Sequence, residues 1–171
     1  MHLSPGSRFW VLALLSTSML AIGQNRREQP TSACPAQPAT LRAMRDCYRP
    51  LLVFAPALNS PHLVEQFNQL KLNIGDMKSR AMMYVPIVPE GHNQPIPGSK
   101  VPTARLSEDE LAAMRLRFKV EPADFLVVLI GKDGGEKLNS PTPVAMDRLR
   151  RLIDSMPMRK REAQQQTSGD R

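Results

Sequence analysis

Short blocks of apolar residues alternate along the chain with stretches in which apolar side chains recur at helical spacing. Leu51–Ala55 (LLVFA), closed by Pro56, is too short for a buried helix and predicts a buried strand. Ala81–Val88 (AMMYVPIV) predicts a second strand, in which Pro86, with no N–H to donate, requires a sheet edge or a bulge. Phe125–Ile130 (FLVVLI), rich in β-branched residues, predicts a third, and Glu136–Leu138 begins a return strand. Between them, Lys132-Asp133-Gly134-Gly135 supplies an Asp-Gly turn, and two positive-φ positions there would suit a tight hairpin.

The helical stretches carry their own start and stop signals. Ser60-Pro61 offers an N-cap and a first-turn proline, Leu63, Phe67, Leu70 and Ile74 form one apolar face, and Gly75 is the expected stop. Ser107 and Glu110 read as a capping box ahead of Leu111, Met114 and Phe118. Thr142-Pro143 opens a last helix with Met146, Leu149, Ile153 and Met156 on its buried side. On its outer side, Asp147/Arg151 and Arg150/Asp154 are spaced as i,i+4 ion pairs, and Pro157 must end it. Pro89–Pro102, with four prolines and two glycines, predicts a long loop.

The resulting order is β-α-β, long loop, α-β-β-α. That is the minimal thioredoxin-like arrangement, an α/β fold with a small mixed sheet flanked by helices; an independent βαβαββα fold is the alternative that periodicity alone leaves open. The crossover should be right-handed and the first two strands parallel. The chain divides into a signal peptide (1–23), an extended N-terminal lead-in (24–47), the domain (48–158) and a disordered basic and polar tail (159–171). Arg8, the apolar stretch Phe9–Ile22 and the small residues Ala21 and Gly23 carry the signal-peptide reading, with a mature start at Gln24. An uncleaved anchor is the alternative, but the stretch is short for a bilayer core of ~30 Å. The expected location is therefore periplasmic or extracellular, with membrane contact arising only if cleavage fails.

Composition changes this picture little. The formal net charge of +7 falls to +6 when Arg8 leaves, and the positive residues are scattered apart from the Arg148/Arg150/Arg151 group and Arg159–Arg161. With five Phe, two Tyr and Trp10 in the leader, a nucleic-acid surface built on stacking is unsupported. A solvated basic face is the simpler reading.

Words within these elements resemble a known family. RPLLVFAP (Arg49–Pro56), SRAMMYVPIV (Ser79–Val88), FLVVLIGKDGGEKL (Phe125–Leu138) and IDSMPMRKRE (Ile153–Glu162) resemble the domain of unknown function 4174 family. That module is found in small bacterial exported proteins and in animal sushi-repeat and related matrix proteins. The resemblance implies a thioredoxin-like fold and brings no reaction with it.

A thioredoxin or peroxiredoxin centre needs a cysteine at the start of the helix after the first strand, where free N–H groups stabilise a thiolate. This chain reads Ala57-Leu58-Asn59-Ser60-Pro61 there. Asn59 and Ser60, with Pro122 ahead of the third strand, mark a vestigial active-site end. Cys34 and Cys47, the two cysteines of the chain, precede the first strand, and the strand's rise puts Cys47 on the order of 20 Å from Asn59. They are expected to form a structural disulfide contributing roughly 3 kcal/mol. The alternative is a labile pair in a thiol oxidoreductase or peroxiredoxin-like enzyme. Ser60 and His62 are two positions apart and do not form a nucleophile–base pair. Met156 and Met158 could hold a soft cuprous ion but are ordinary core fillers. No catalytic residue, cofactor or metal is assigned. Lys132, Asp133, Lys137, Asp154 and Arg159 converge at the opposite end of the expected sheet as a candidate interaction surface, which suits an unknown protein or peptide partner. Turn chemistry and surface ion pairs are the plain alternative for them. The expectation is an exported, non-catalytic binding module.

Overall fold

The computed structural model describes residues 33–89 and 98–169. The proposed signal peptide and most of the long loop lie outside them. The elements run α1 (Leu41–Met44), β1 (Arg49–Phe54), α2 (Pro61–Lys71), α3 (Ile74–Ser79), β2 (Met82–Ile87), α4 (Glu108–Phe118), β3 (Leu126–Ile130), β4 (Glu136–Ser140), α5 (Met146–Ser155) and α6 (Pro157–Gly169).

The strands form one mixed sheet in the order β2-β1-β3-β4. β1 and β2 are parallel, as a strand–helix–strand crossover requires, while β3 runs antiparallel to β1 and β4 to β3. Pro86 lies in the edge strand β2, where its missing N–H interrupts no central ladder. On the outer side of that strand the segment after the long loop makes a short parallel bridge between Tyr84 and Thr103.

Side chains alternate across β1 and thereby divide the core in two. Leu51 and Val53 face α2, α3 and α5, joining Leu63, Leu70, Met77, Leu149 and Ile153. Leu52 and Phe54 point the other way, toward α1 and α4, and meet Met44, Leu111 and Met114. Each fully buried side chain of this size contributes about 1.5–3 kcal/mol, so a sheet covered on both faces explains the near-continuous apolar strands. The thioredoxin-like α/β fold expected from the sequence is the fold observed.

Several local expectations change. Gly75 does not stop α2, which ends at Lys71; the glycine sits inside the short α3. Ser60 occupies the N-cap position, but its hydroxyl donates to the Ala57 carbonyl oxygen (2.6 Å) instead of capping. At α4 half of the capping box forms: Ser107 accepts from the Glu110 N–H, while the Glu110 carboxylate reaches away to the N–H of Leu41 (2.9 Å). That contact fixes α1, which the reading of an extended lead-in missed, and Met44 is fully buried. α5 starts at Met146, leaving Thr142-Pro143 in a loop. That loop is held by Gln66, a fully buried residue whose amide both donates to and accepts from the backbone of Val144 (3.2 and 2.7 Å).

The expected tail is also corrected. Pro157 does end α5, but it opens α6, where its fixed φ suits the first turn. The segment from Arg159 has nothing apolar to bury, which is the pattern of a tail. Ion pairing, not apolar burial, holds it to the domain.

Candidate functional site

Arg49, the first residue of β1, is 1% exposed. Its backbone N–H donates to the Ala81 carbonyl (2.7 Å), which locks the start of β1 to the approach to β2. Burying a charge at this depth requires a partner of opposite sign. Glu162 of α6 supplies it: Nη1 and Nη2 donate to Oε2 (3.2 Å) and Oε1 (3.0 Å), an end-on fork. Nη1 also donates to the Arg80 carbonyl oxygen (2.8 Å). Nε, on the remaining edge of the guanidinium, is buried and has no hydrogen-bond partner.

Glu162 gathers further cations, Lys132 at 2.9 Å and Arg159 at 3.8 Å. Partial burial pushes its carboxyl upward, but Arg49 first and then Lys132 outweigh that and hold it below the usual glutamate range. A second group of pairs adjoins this one. Asp154 of α5 accepts from Arg80 (2.7 Å) and Arg159 (3.4 Å), and Arg80 also reaches Asp76 of α3 (2.7 Å). The Arg80 hydrogen bond is the main reason that the Asp154 carboxyl lies below its ordinary range. Arg150 pairs with Asp147 and with Asp76. The expected i,i+4 partners on α5 are therefore replaced: Asp154 goes to Arg80 on the neighbouring segment, and Arg150 reaches back to Asp147 and across to α3.

The β3–β4 turn completes the region. Gly134 alone in the turn adopts positive φ (79°), so the connection is not a turn with two positive-φ residues. Instead Gly131 N–H donates to the Gly135 carbonyl (2.8 Å), Gly134 N–H donates to that of Gly131 (2.9 Å), and the register shifts between Leu129 and Ile130. Asp133 accepts from the Gly135 N–H (3.0 Å) and from Lys137 (2.6 Å), and these two bonds, Lys137 first, lower its pKa. A Cβ at Gly131 would meet Lys137 Cε at 2.5 Å and Asp133 Oδ1 at 2.6 Å, so this glycine makes room for the Lys137–Asp133 pair. The turn is tied to the N-terminal segment by the Asp46 N–H, which donates to the Lys132 carbonyl (2.8 Å). Next to Asp46, Cys47 forms a disulfide with Cys34, with Cα atoms 5.4 Å apart.

Between the turn and the α5–α6 junction lies a cavity of about 240 Å³, lined by Arg49, Lys132, Asp133, Lys137, Met156 and Met158 among others. The candidate interaction residues are thus drawn into one region. Lys132 and Arg159 are mostly buried in ion pairs within the chain, whereas Asp133 and Asp154 are about half exposed. Sequence reasoning missed Arg49 and Glu162. The one available signal was an arginine heading an apolar strand; nothing local marked the glutamate.

At the other end of the sheet the expected marks are less tightly assembled. Asn59 borders a shallow groove on α2 with Pro61, Val64 and Leu72, while Pro122 lines a separate cavity of about 470 Å³ with Val88, Leu111 and Arg115. Arg115 donates to the carbonyl oxygens of Ile87 (3.0 Å), Ala55 (3.4 Å) and Glu121 (3.4 Å), and its guanidinium sits 5.9 Å from the Phe54 ring centroid. This arginine draws together the chain ends that leave β1 and β2.

Solved structures with this arrangement include thioredoxin peroxidase I of Plasmodium yoelii, with a TM-score of 0.51 and 17% identity over 71% of this chain and 79% of that one. The reduced 2-Cys peroxiredoxin of Plasmodium vivax is similar, with a TM-score of 0.50 and 14% identity over 71% of this chain and 84% of that one. At such identities the likeness establishes the fold. No curated protein matches the sequence. A family model described as Domain of unknown function (DUF4174) matches residues 40–162, spanning α1 through Glu162. The chain belongs to that family, and the match includes both partners of the buried Arg49–Glu162 pair.

Proposed function

We propose that the chain is an exported, non-catalytic thioredoxin-like domain that works by binding a protein or peptide partner. The observation that carries this reading is the separation of sulfur from the place where this fold would activate it. The start of α2 offers Ala57–Pro61, while Cys34 and Cys47 are bonded to each other ahead of β1. A helix N-terminus without a thiol stabilises no thiolate, and a disulfide between two segments of the lead-in acts as a staple. The region around the β3–β4 turn, with half-exposed Asp133 and Asp154 beside a cavity, is the surface proposed for contact.

A second reading, an extracytoplasmic thiol oxidoreductase or peroxiredoxin-like enzyme, draws support from the disulfide itself. Cys34 is exposed and Cys47 half-buried, so a reductant can reach the bond. Insulin-reduction and peroxide-consumption assays on wild type and Cys47→Ser separate the two. The binding reading expects no turnover from either protein, together with a stability loss of about 3 kcal/mol in Cys47→Ser. Turnover by wild type that Cys47→Ser abolishes would establish the enzyme instead. Mass spectrometry of the protein recovered outside the cytoplasm, expected to begin at Gln24, tests export.

A further inference from the structure

The buried guanidinium of Arg49 is incompletely used. Of its five N–H donors, Nη1 spends both on Glu162 and the Arg80 carbonyl, and Nη2 spends one on Glu162. What remains is Nε–H and the second Nη2–H, which lie side by side along one edge of the planar group. That edge is a second bidentate fork, of the shape that a carboxylate fits. An unsatisfied polar edge on a side chain 1% exposed is costly unless it finds a partner.

Arg49 lines the cavity beside the β3–β4 turn, and the other lining groups share its preference. Lys132 and Lys137 add positive charge. The cavity also borders the start of α6, where Met158 and Arg159 stand in the first turn after Pro157 and their N–H groups have no intrahelical acceptor. Three cations, Arg49, Lys132 and Lys137, stand against two carboxylates, Asp133 and Glu162, which leaves one positive charge. Arg159 and Asp154 beside them cancel. A monoanion balances that charge; a phosphate dianion would overshoot it in a cavity half walled by Met156, Pro157 and Met158. At about 240 Å³ the space suits a ligand of one-residue size.

We propose that this cavity is a carboxylate-binding site for a short apolar monocarboxylate, presented as a free acid or as the free C-terminus of a peptide. The carboxylate takes the Nε/Nη2 edge of Arg49, Lys132 and Lys137 supply the surrounding charge, and the apolar body lies against Met156 and Met158. This names the ligand class of the surface proposed above and rests on that reading.

The test is an NMR titration of the exported protein with isovalerate, inorganic phosphate, and a peptide ending in leucine as the free acid or the amide. Expected are saturable shifts at the amides of Gly131, Gly134, Gly135, Met158 and Arg159 with isovalerate, with the free-acid peptide, or with both. Isovalerate alone assigns a free acid, and preference for the peptide assigns a chain terminus. The amide should cause no shift, and phosphate should bind at least about tenfold more weakly. Met158→Asp places a carboxylate at the rim, at a helix start that tolerates it, and should weaken binding by about tenfold or more at an unchanged melting temperature. Absence of saturable shifts with both carboxylates overturns the proposal. So does equal binding of phosphate or of the amide, or undiminished binding to Met158→Asp. If the domain, used as bait, captures a protein or peptide partner while carboxylates fail, only this inference falls; if it captures none either, the binding reading falls with it.

Discussion

Arg49 and Arg115 stand at opposite ends of the same sheet, and each guanidinium donates to backbone carbonyls, Arg49 to that of Arg80 and Arg115 to those of Ala55, Ile87 and Glu121. Their surroundings differ. Arg115 is half-buried, lies against an aromatic ring and donates to neutral carbonyl oxygens at the end where β1 and β2 finish. Arg49 is enclosed, receives a carboxylate from an element at the far side of the sequence, keeps a buried Nε without a hydrogen-bond partner, and lines a cavity. The comparison teaches where this fold has invested its charge. The end at which a thioredoxin-like domain would place a thiol holds its strand exits together, while the opposite end carries the polar machinery.

The contrast is broken most directly by removing each arginine. Arg49→Ala leaves Glu162 facing a cavity and should cost about 3–5 kcal/mol, the range for breaking a buried ion pair. Arg115→Ala removes hydrogen bonds to neutral acceptors at a partly solvated site and should cost about 1–2 kcal/mol. Urea denaturation of both variants measures the difference, and equal losses would erase the distinction drawn between the ends.

A sharper version varies pH. Because the folded chain holds the Glu162 carboxyl below its ordinary value of about 4.3, its stabilisation is full above that pH and fades as pH falls through the lowered value. Glu162→Gln should therefore be less stable than wild type near neutrality, by about 2 kcal/mol. The gap between the two proteins should close on acidification. A gap that stays constant from pH 6 down to acid conditions would show that shape rather than charge matters at this position.

The smallest effect is expected at Asp133. Its bond to Lys137 is solvent-screened, with the aspartate half exposed, so Asp133→Asn should change stability by about 0.5 kcal/mol or less. A loss matching that of Glu162→Gln would mean that the turn, not the α6 pair, organises this end.

The sheet was legible in the sequence because its strands are buried on both faces and so stand out as unbroken apolar runs, as in LLVF and LVVLI. α2, α4 and α5 announced themselves by apolar period. α6 did not, since Arg159 to Ser168 offers no apolar stripe and its ion pairs, through Glu162 and Arg159, reach partners outside the helix. Gln66 likewise reads as one more polar residue on an exposed helix until its amide is seen clasping Val144. Both are polar groups whose burial is decided by partners far along the chain, with separations of 113 and 78 residues. Local pattern registers such groups as solvent-facing. The candidate surface was found in part, because Lys132 and Arg159 belong to conspicuous words, but the arginine at its centre was hidden at the head of a strand. The thiol-free start of α2 could be read directly, since there the argument turns on residue identity alone.

The Arg49–Glu162 pair also sets a timetable. β1 emerges early from the ribosome with a cation that has no carboxylate to receive it until 113 further residues have followed. Until then the central strand of the sheet has reason to stay unpacked, because closing the core would strand that charge. Its final helix, which brings the carboxylate, acts as the latch.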